Sequence, residues 1–300
     1  MKISGFTFVR NAAKLCYPVK ESILSILPIC DEFIIAMGDN DEDDQTQAII
    51  DSIGSDKIKI YHRPWDKERF KSGLIFKDET DFALSKCTGD WCFYIQADEV
   101  VHEKDHENIV EACKKYLYEP EVQGLLFRYN HFWGDYDHRI HAHTWYKEEI
   151  RIVRNGVDIT SYKDAQSFRL NNVEKLNVKS IDAEMYHYGW VRPPRLMQTK
   201  NERQQSFYMG RKEKQSILDE FFDYGPVGRI PQFTGTHPAV MQDMISAFDW
   251  ADKINYSKSG FLRSNRFKHE RLKYRVLTWV ENNLFGGKTI FGFHNFIKLP

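Results

Sequence analysis

The 300-residue chain is 42% hydrophobic and 14% aromatic, with a formal charge of -1. That balance is enough for a full buried core, excludes a disordered polyampholyte, and gives no chain-wide case for nucleic-acid binding. The five cysteines lie scattered among apolar residues. They form no disulfide framework and fit a reduced, intracellular protein, and Cys87 and Cys92 lack the second Cys/His pair of a zinc site. The N-terminus has neither the apolar run nor the cleavage site of a signal peptide, and no stretch of about 18 apolar residues is present, so a cytoplasmic location is expected.

Short apolar runs alternate with helical patterns through the first part of the chain. Ile3 to Val9 reads as a strand, and Pro18 opens a helix whose Val19, Ile23, Ile26 and Leu27 share a face. Asp31 to Met37 is a second strand, followed by the acidic run "GDNDEDDQT" and a short helix near Ala48 to Ile53. Lys57 to Tyr61 is a third strand, then Phe76 to Lys86 a helix stopped by Gly89. "WCFYI", Trp91 to Ile95, is apolar without interruption, as a strand covered on both faces would be. A helix carrying Ile109, Val110, Cys113, Tyr116 and Leu117 leads to a strand from Gly124 to Tyr129. Strands alternating with helices predict an α/β fold with a mainly parallel sheet. In such sheets ligands bind beyond the carboxyl ends of the strands, which is where Arg10, Asn11, Asp39 and the stretch Gln96 to Glu99 fall.

After about Trp145 the alternation fades into aromatic and charged segments, "WYKEEIRIVRN", "SYKDAQSFRL" and "EMYHYGWVRPP". "PAVMQDMISAFDWADKI" predicts an amphipathic helix, and the tail from Lys253 interleaves Lys and Arg with Phe261, Leu262, Phe267, Tyr274 and Trp279.

Adjacent carboxylates such as Asp98 and Glu99 repel unless a cation lies beside them, and a divalent metal is the common solution; alone, two acids after a strand more often mark a solvated turn. Their context is more specific. "VRN" after the first strand, "GDNDEDDQT" after the second, "QADE" after the fourth and "HYGW" downstream together resemble the family 2 glycosyltransferases of GT-A fold over about the first 190 residues. The resemblance implies a Rossmann-like GT-A domain over 1–235, with a donor half to about 125 and an acceptor half from about 126, and a helical basic extension over 236–300. It implies a transferase that takes a nucleotide-sugar donor, is assisted by Mn²⁺ or Mg²⁺, inverts the anomeric centre, and glycosylates a cell-surface glycan or lipid-linked acceptor.

Carried over residue by residue, Arg10, Asn11, Asp39, Gln96 and Asp98 become donor-binding positions, with Asp44 and Thr46 closing the second loop. Asp98, Glu99 and His187 become metal-proximal, and Asp164 is the expected general base, with Asp135, Asp137 and Glu149 as competitors. A metal on the diphosphate neutralises the charge of the leaving group, and a carboxylate takes the acceptor's proton. Three departures stand out. Gln96 holds a position where the family usually has Asp, no Glu follows Asn11, and the second loop is unusually acidic. Trp133, Tyr136, Trp145 and Trp190 are candidates for an acceptor wall, although aromatics are more often core. The basic, aromatic tail reads as solvated helices, an oligomer contact or a peripheral contact with anionic lipid. Two alternatives remain open at this level: a sugar-nucleotidyltransferase, whose Gly-rich phosphate loop "GFTFVRNAAK" lacks, and a non-catalytic nucleotide-sugar or glycan-binding protein.

Overall fold

The computed structural model describes residues 1–70, 72–209, 220–258, 267–290, 292 and 294–300. Twelve strands and seven α-helices are named in chain order. They are β1 (Ile3–Val9), α1 (Val19–Ile26), β2 (Glu32–Met37), α2 (Thr46–Asp51), β3 (Ile58–His62), α3 (Leu74–Leu84), β4 (Trp91–Tyr94), β5 (Glu99–Val101) and α4 (His106–Lys115). There follow β6 (Gly124–Trp133), β7 (Arg139–Ile140), β8 (Glu148–Arg154), β9 (Ile159–Tyr162), β10 (Ser167–Leu170), β11 (Glu174–Trp190), α5 (Pro194–Met209), α6 (Gln242–Ser246), α7 (Leu272–Leu284) and β12 (Phe296–Lys298).

The strands join in one sheet of order β3-β2-β1-β4-β8-β6-β11-β10-β9. β1, β2, β3 and β4 are parallel, as βαβ connections require. β8 runs against both β4 and β6, and β6 pairs in parallel with β11, so from β3 to β11 only β8 is reversed. The expected mainly parallel α/β sheet is present. β5 lies antiparallel on the far end of β11, with Glu99 opposite His187, while β6 sets His131 opposite the same histidine.

The uninterrupted apolar run of β4 has a direct cause. Trp91, Phe93 and Ile95 pack with Ile23 and Ile26 of α1 and Ile109 of α4 on one face. Cys92 and Tyr94 pack with Ala83 of α3, Phe168 and Ile150 on the other. Burying a side chain such as Phe93 on both sides contributes about 2–3 kcal/mol. That fixes β4 rigidly and with it the turn at its carboxyl end. Gly89, read as a helix stop, instead lets the backbone pass Ser4, where a Cβ would stand 2.8 Å from its amide nitrogen.

A third, aromatic core joins the ends of β6 and β11, through Phe132, Trp133, Tyr186 and Tyr188, to Phe222, Tyr224, Met241 and Trp250. Here one prediction fails. The amphipathic pattern over 238–254 forms only α6 flanked by 3-10 turns at Ala239–Met241 and Ala251–Lys253. Burial of Met241, Trp250 and Ile254, with the Trp250 indole donating to the Gly134 carbonyl at 2.9 Å, breaks the continuous helix. Tertiary packing overrides local periodicity. The predicted tail residues Phe261, Leu262, Arg263 and Arg266 lie outside the described residues. Within the described tail, Glu281 of α7 is fully buried and pairs with His143 at 2.6 Å and Lys147 at 2.7 Å, and β12 adds to β11.

Candidate active site

A pocket of about 390 Å³ opens at the carboxyl ends of β1 and β4. Arg10, Asn11, Gln96, Asp98, Asp164 and His187 all line it, so six of the predicted site residues, distant in sequence, meet in one cleft. A wider cavity of about 980 Å³, near Asp137, Arg229 and Tyr256, holds none of the predicted donor or metal residues.

The loop after β1 is built to meet the acidic loop after β2. Asn11, buried and left-handed at φ 54°, donates its amide N–H to the Asn40 side chain at 2.7 Å, and its own carboxamide exchanges bonds with Asp41 at 2.7 and 3.1 Å. Asp44 accepts from the amides of Lys14 and Thr46, both at 2.8 Å, and the Thr46 hydroxyl accepts from the Ala13 amide at 3.0 Å. These two residues therefore fasten the loops together. The acidity of "GDNDEDDQT" is offset locally: Lys14 reaches Asp41 at 3.1 Å and Asp43 at 2.6 Å, and Arg203 of α5 reaches Asp41 at 3.0 Å. Burial opposes ionisation of Asp41, but Lys14, Asn11 and Arg203 outweigh it and hold the carboxyl at about 2. Asp39 accepts from Arg10 Nε at 3.1 Å and from the Trp65 amide at 3.0 Å, which sets Arg10 along the pocket edge; Asp39 itself is not among the residues that line the pocket.

The adjacent acids part company. Asp98, 8% exposed, faces the pocket. Glu99, fully buried, faces the interior, where Arg151 forks onto it at 2.7 and 2.8 Å and the Tyr129 hydroxyl donates at 2.7 Å. This corrects the expectation for Glu99: both of its oxygens are committed to protein donors, which removes it from the metal-proximal set. Gln96 donates from Nε2 to the Ala165 carbonyl and the Tyr94 hydroxyl, each at 3.3 Å, so its amide spans the pocket floor.

His187 comes to Asp98 through the register of β11. Its Nε2 lies 3.8 Å from Asp98 Oδ2, and its Nδ1 lies 2.9 Å from Nδ1 of His131. The tautomers follow from the far side. His131 Nε2 faces the Tyr146 carbonyl at 2.8 Å and must donate there, so with burial holding His131 neutral its Nδ1 is an acceptor. His187 then donates from Nδ1. Burial lowers its pKa against the opposing pull of Asp98, and Nε2 is the ring nitrogen on the Asp98 side. Gly189 keeps the space between them open: a Cβ there would stand 2.5 Å from His187 Nε2 and 2.7 Å from Asp98 Oδ2.

An imidazole nitrogen and a carboxylate oxygen 3.8 Å apart at a pocket wall suit half of a divalent-cation site, which diphosphate and water oxygens would complete. No cluster of three or more His, Cys, Asp or Glu side chains with metal-binding geometry occurs among the described residues, and in this cleft Asp98 and His187 form a pair.

Of the four candidate bases only Asp164 lines the pocket. It sits in the turn between β9 and β10 and accepts from Tyr208 Oη at 2.6 Å and Gln166 Nε2 at 2.9 Å. Glu149 is buried against Ser167 and Asn295, and Asp135 caps the turn at His138. Trp145 and Trp190 face the pocket, whereas Trp133, stacked 4.8 Å from Trp190, and Tyr136 belong to the aromatic core.

Sequence reasoning passed over α5, which crosses the pocket. Lys200, Arg203 and Phe207 stand at i, i+3 and i+7 on one face and all line it, a spacing that could have been read from "KNERQQSF". Lys200, 5% exposed, donates to the Gly189 carbonyl at 2.7 Å and lies 3.5 Å from Asp98 Oδ2. Burial, then Arg192, lowers its pKa to about 7 against the pull of Asp98. Burial would raise Asp98, but Lys200, His187 and Arg192 hold it below the ordinary aspartate range.

Known proteins resemble parts of this chain. A Rickettsia bellii protein described as an uncharacterized glycosyltransferase is 24% identical over 226 residues, covering 72% of this chain and 68% of its own length. A Rickettsia felis protein of the same description is 31% identical over 108 residues, 36% of this chain and 32% of its own. Among solved structures, Staphylococcus aureus TarS 1–349 is 17% identical over 44% of this chain and 36% of its own, with a TM-score of 0.33. Glucosyl-3-phosphoglycerate synthase from Mycobacterium tuberculosis is 17% identical over 43% of each chain, with a TM-score of 0.29. The chain thus spans about a third of TarS 1–349, and at these scores neither overlay bears on its ligands. The model of glycosyl transferase family 2 matches residues 9–177, more than half of the chain and the whole stretch from Arg10 through Asp98 to Asp164, and on that match the chain belongs to glycosyl transferase family 2.

Proposed function

We propose that this glycosyltransferase moves a sugar from a nucleotide-sugar to a hydroxyl of a cell-surface glycan or lipid-linked acceptor, with help from Mn²⁺ or Mg²⁺ and inversion at the anomeric carbon. The observation that carries the reading is the meeting of Asp98 and His187 around Gly189 at the mouth of a pocket floored by Gln96. Asp98 and His187 would hold the metal, which when bound neutralises charge on the diphosphate. Arg10 and Asn11 border the nucleotide, with Asp39 fixing Arg10. The Gln96 carbonyl oxygen accepts from a ribose or sugar hydroxyl in place of the charge an aspartate would bring. Asp164, held by Tyr208 and Gln166, takes the acceptor's proton. Trp145 and Trp190 offer flat faces to the acceptor.

Peripheral contact with a membrane that carries the acceptor is supported by α7. Leu272, Val276 and Trp279, at i, i+4 and i+7, are 62%, 52% and 60% exposed beside Lys273 and Arg275. No described helix is long and apolar enough to cross a bilayer.

The test is release of free nucleoside diphosphate from a panel of UDP-, GDP-, CDP- and dTDP-sugars with Mn²⁺ or Mg²⁺. One donor is expected to be cleaved slowly without acceptor, and Asp98→Asn should reduce the rate by about 100-fold or more. If a nucleotide-sugar binds yet none is cleaved, and Asp98→Asn leaves binding and metal response unaltered, the protein is a binder and the enzyme reading fails.

A further inference from the structure

We propose that Lys200 is a catalytic residue: its ammonium contacts the donor diphosphate and takes up part of the charge that grows on it, so that donor binding persists in part without a divalent ion. This rests on the reading that the pocket holds a nucleotide-sugar.

Four basic side chains, Arg10, Arg151, Lys200 and Arg203, line the pocket. Arg10 is bonded to Asp39, Arg151 forks onto Glu99, and Arg203 pairs with Asp41 at 3.0 Å. Lys200 is differently placed. Its one short bond, 2.7 Å, goes to the neutral Gly189 carbonyl, and its only described carboxylate contact is the 3.5 Å approach to Asp98. That approach is well beyond the about 2.7–2.9 Å of a formed charge-assisted bond. An ammonium has three protons to donate, so Lys200 has capacity left for a further acceptor.

A local charge count points the same way. Arg192, fully buried, bonds to the carbonyls of Leu15 and Gly189, and its Nη2 has no hydrogen-bond partner among the described residues. Arg192 and Lys200 both stand over the Tyr17 ring, at 4.1 and 5.2 Å, and Tyr17 lines the pocket. Two buried basic side chains therefore lie near Asp98, the one carboxylate that Lys200 approaches among the described residues, while Glu99 is already paired with Arg151. Holding both side chains charged is costly unless an anion joins them, and Lys200, Tyr17 and Asp98 all line the pocket from which one could enter. A diphosphate is the anion the pocket's position at the strand ends favours.

In the transfer, the acceptor oxygen bonds to the anomeric carbon, and the bond from that carbon to the diphosphate oxygen breaks, its electron pair leaving with the diphosphate. The acceptor's proton passes to Asp164. Lys200 keeps its own protons and acts through charge and hydrogen bonding to the departing oxygens. Because Lys200 and a divalent ion would address the same Asp98 oxygen and the same diphosphate, they should oppose each other: removing the ammonium weakens metal-free binding and eases metal binding.

Isothermal titration of nucleoside diphosphates, UDP first and then GDP, CDP, ADP and dTDP, into the full chain tests this in EDTA and in excess Mn²⁺. The variants are Lys200→Met, which keeps the apolar stem against Tyr17 and Trp190, and Lys200→Arg, which keeps the charge; thermal unfolding checks that both fold. Wild type should bind one nucleotide in EDTA, Lys200→Met should lose about tenfold or more there, and Lys200→Arg should retain most of the affinity. The Mn²⁺ midpoint, followed by the electron paramagnetic resonance of free Mn²⁺, should fall in Lys200→Met. Binding that requires Mn²⁺ and is identical in wild type and Lys200→Met overturns the role of Lys200 alone. Absence of nucleotide binding under both conditions overturns the donor-site reading and this role with it.

Discussion

Asp98 and Glu99 are neighbours in sequence and opposites in environment. Asp98 lies in the turn after β4, closed by the Glu99 amide donating to the Gln96 carbonyl at 2.9 Å, and Glu99 opens β5, so one carboxylate meets the pocket and the next turns inward to Arg151. The motif made Asp98 legible. Glu99 was misread because its partners, Arg151 and Tyr129, come from β8 and β6, and no local pattern announces them. Glu99→Ala would strand Arg151, which is 1% exposed, and should cost about 3–5 kcal/mol in urea unfolding. The Mn²⁺ affinity of the folded fraction should stay as in wild type, whereas a Glu99 that ligates metal would lose it. His187 was legible from its position in "YHYGW", but its tautomer is fixed by His131, 56 residues earlier, through a pairing that only the β6–β11 register reveals.

The strands of the first half were legible because a two-faced core writes itself as uninterrupted apolar runs, and β4 matches "WCFYI" closely. β11 was only partly legible: its 17 residues carry exposed positions such as Glu174 and Asp182 between buried ones, so just its last third looked like a strand. The segment 238–254 failed for the converse reason, since its periodicity is helical while its large side chains are held by β6 and β11. Element ends also carry charge. Glu32, opening β2, accepts from Ser4, Lys59 and Thr88, each at 2.7 Å, and so ties together β1, β2, β3 and the turn before β4. Desolvation would raise its pKa, but Lys59, Ser4 and Thr88 outweigh it and bring it to about 2, below its unfolded value. Its contribution is therefore complete above the unfolded carboxylate range and lost as pH falls toward 2. After allowance for the exposed lysine that is about 2 kcal/mol. Between about pH 6 and pH 3 the urea midpoint of wild type should fall further than that of Glu32→Gln, and parallel falls would contradict the assignment.

At the scale of the molecule, one sheet carries the pocket at its strand ends, an aromatic core joins the ends of β6 and β11, and α7 packs through Glu281 on His143 and Lys147. The charge pattern of the tail was legible, but which of its apolar residues face outward was not, because burial of Glu281 against His143 and Lys147 sets the rotation of α7. With Leu272, Val276 and Trp279 outward beside Lys273 and Arg275, the protein should sediment with vesicles rich in phosphatidylglycerol and not with phosphatidylcholine alone. Trp279→Ser with Leu272→Ser should abolish most of that binding and leave unfolding unchanged. Equal binding by the variant, or its conversion from dimer to monomer, would assign the face to something other than lipid. The central claim, that the pocket between β1, β4 and α5 holds the donor, is tested most directly by hydrogen–deuterium exchange with and without the nucleotide-sugar that most raises the melting temperature. Protection is expected in peptides covering 8–17, 94–98 and 200–208, which contain Arg10, Asp98 and Lys200. Protection confined to 228–232 and 256–258, the walls of the wider cavity, would contradict it.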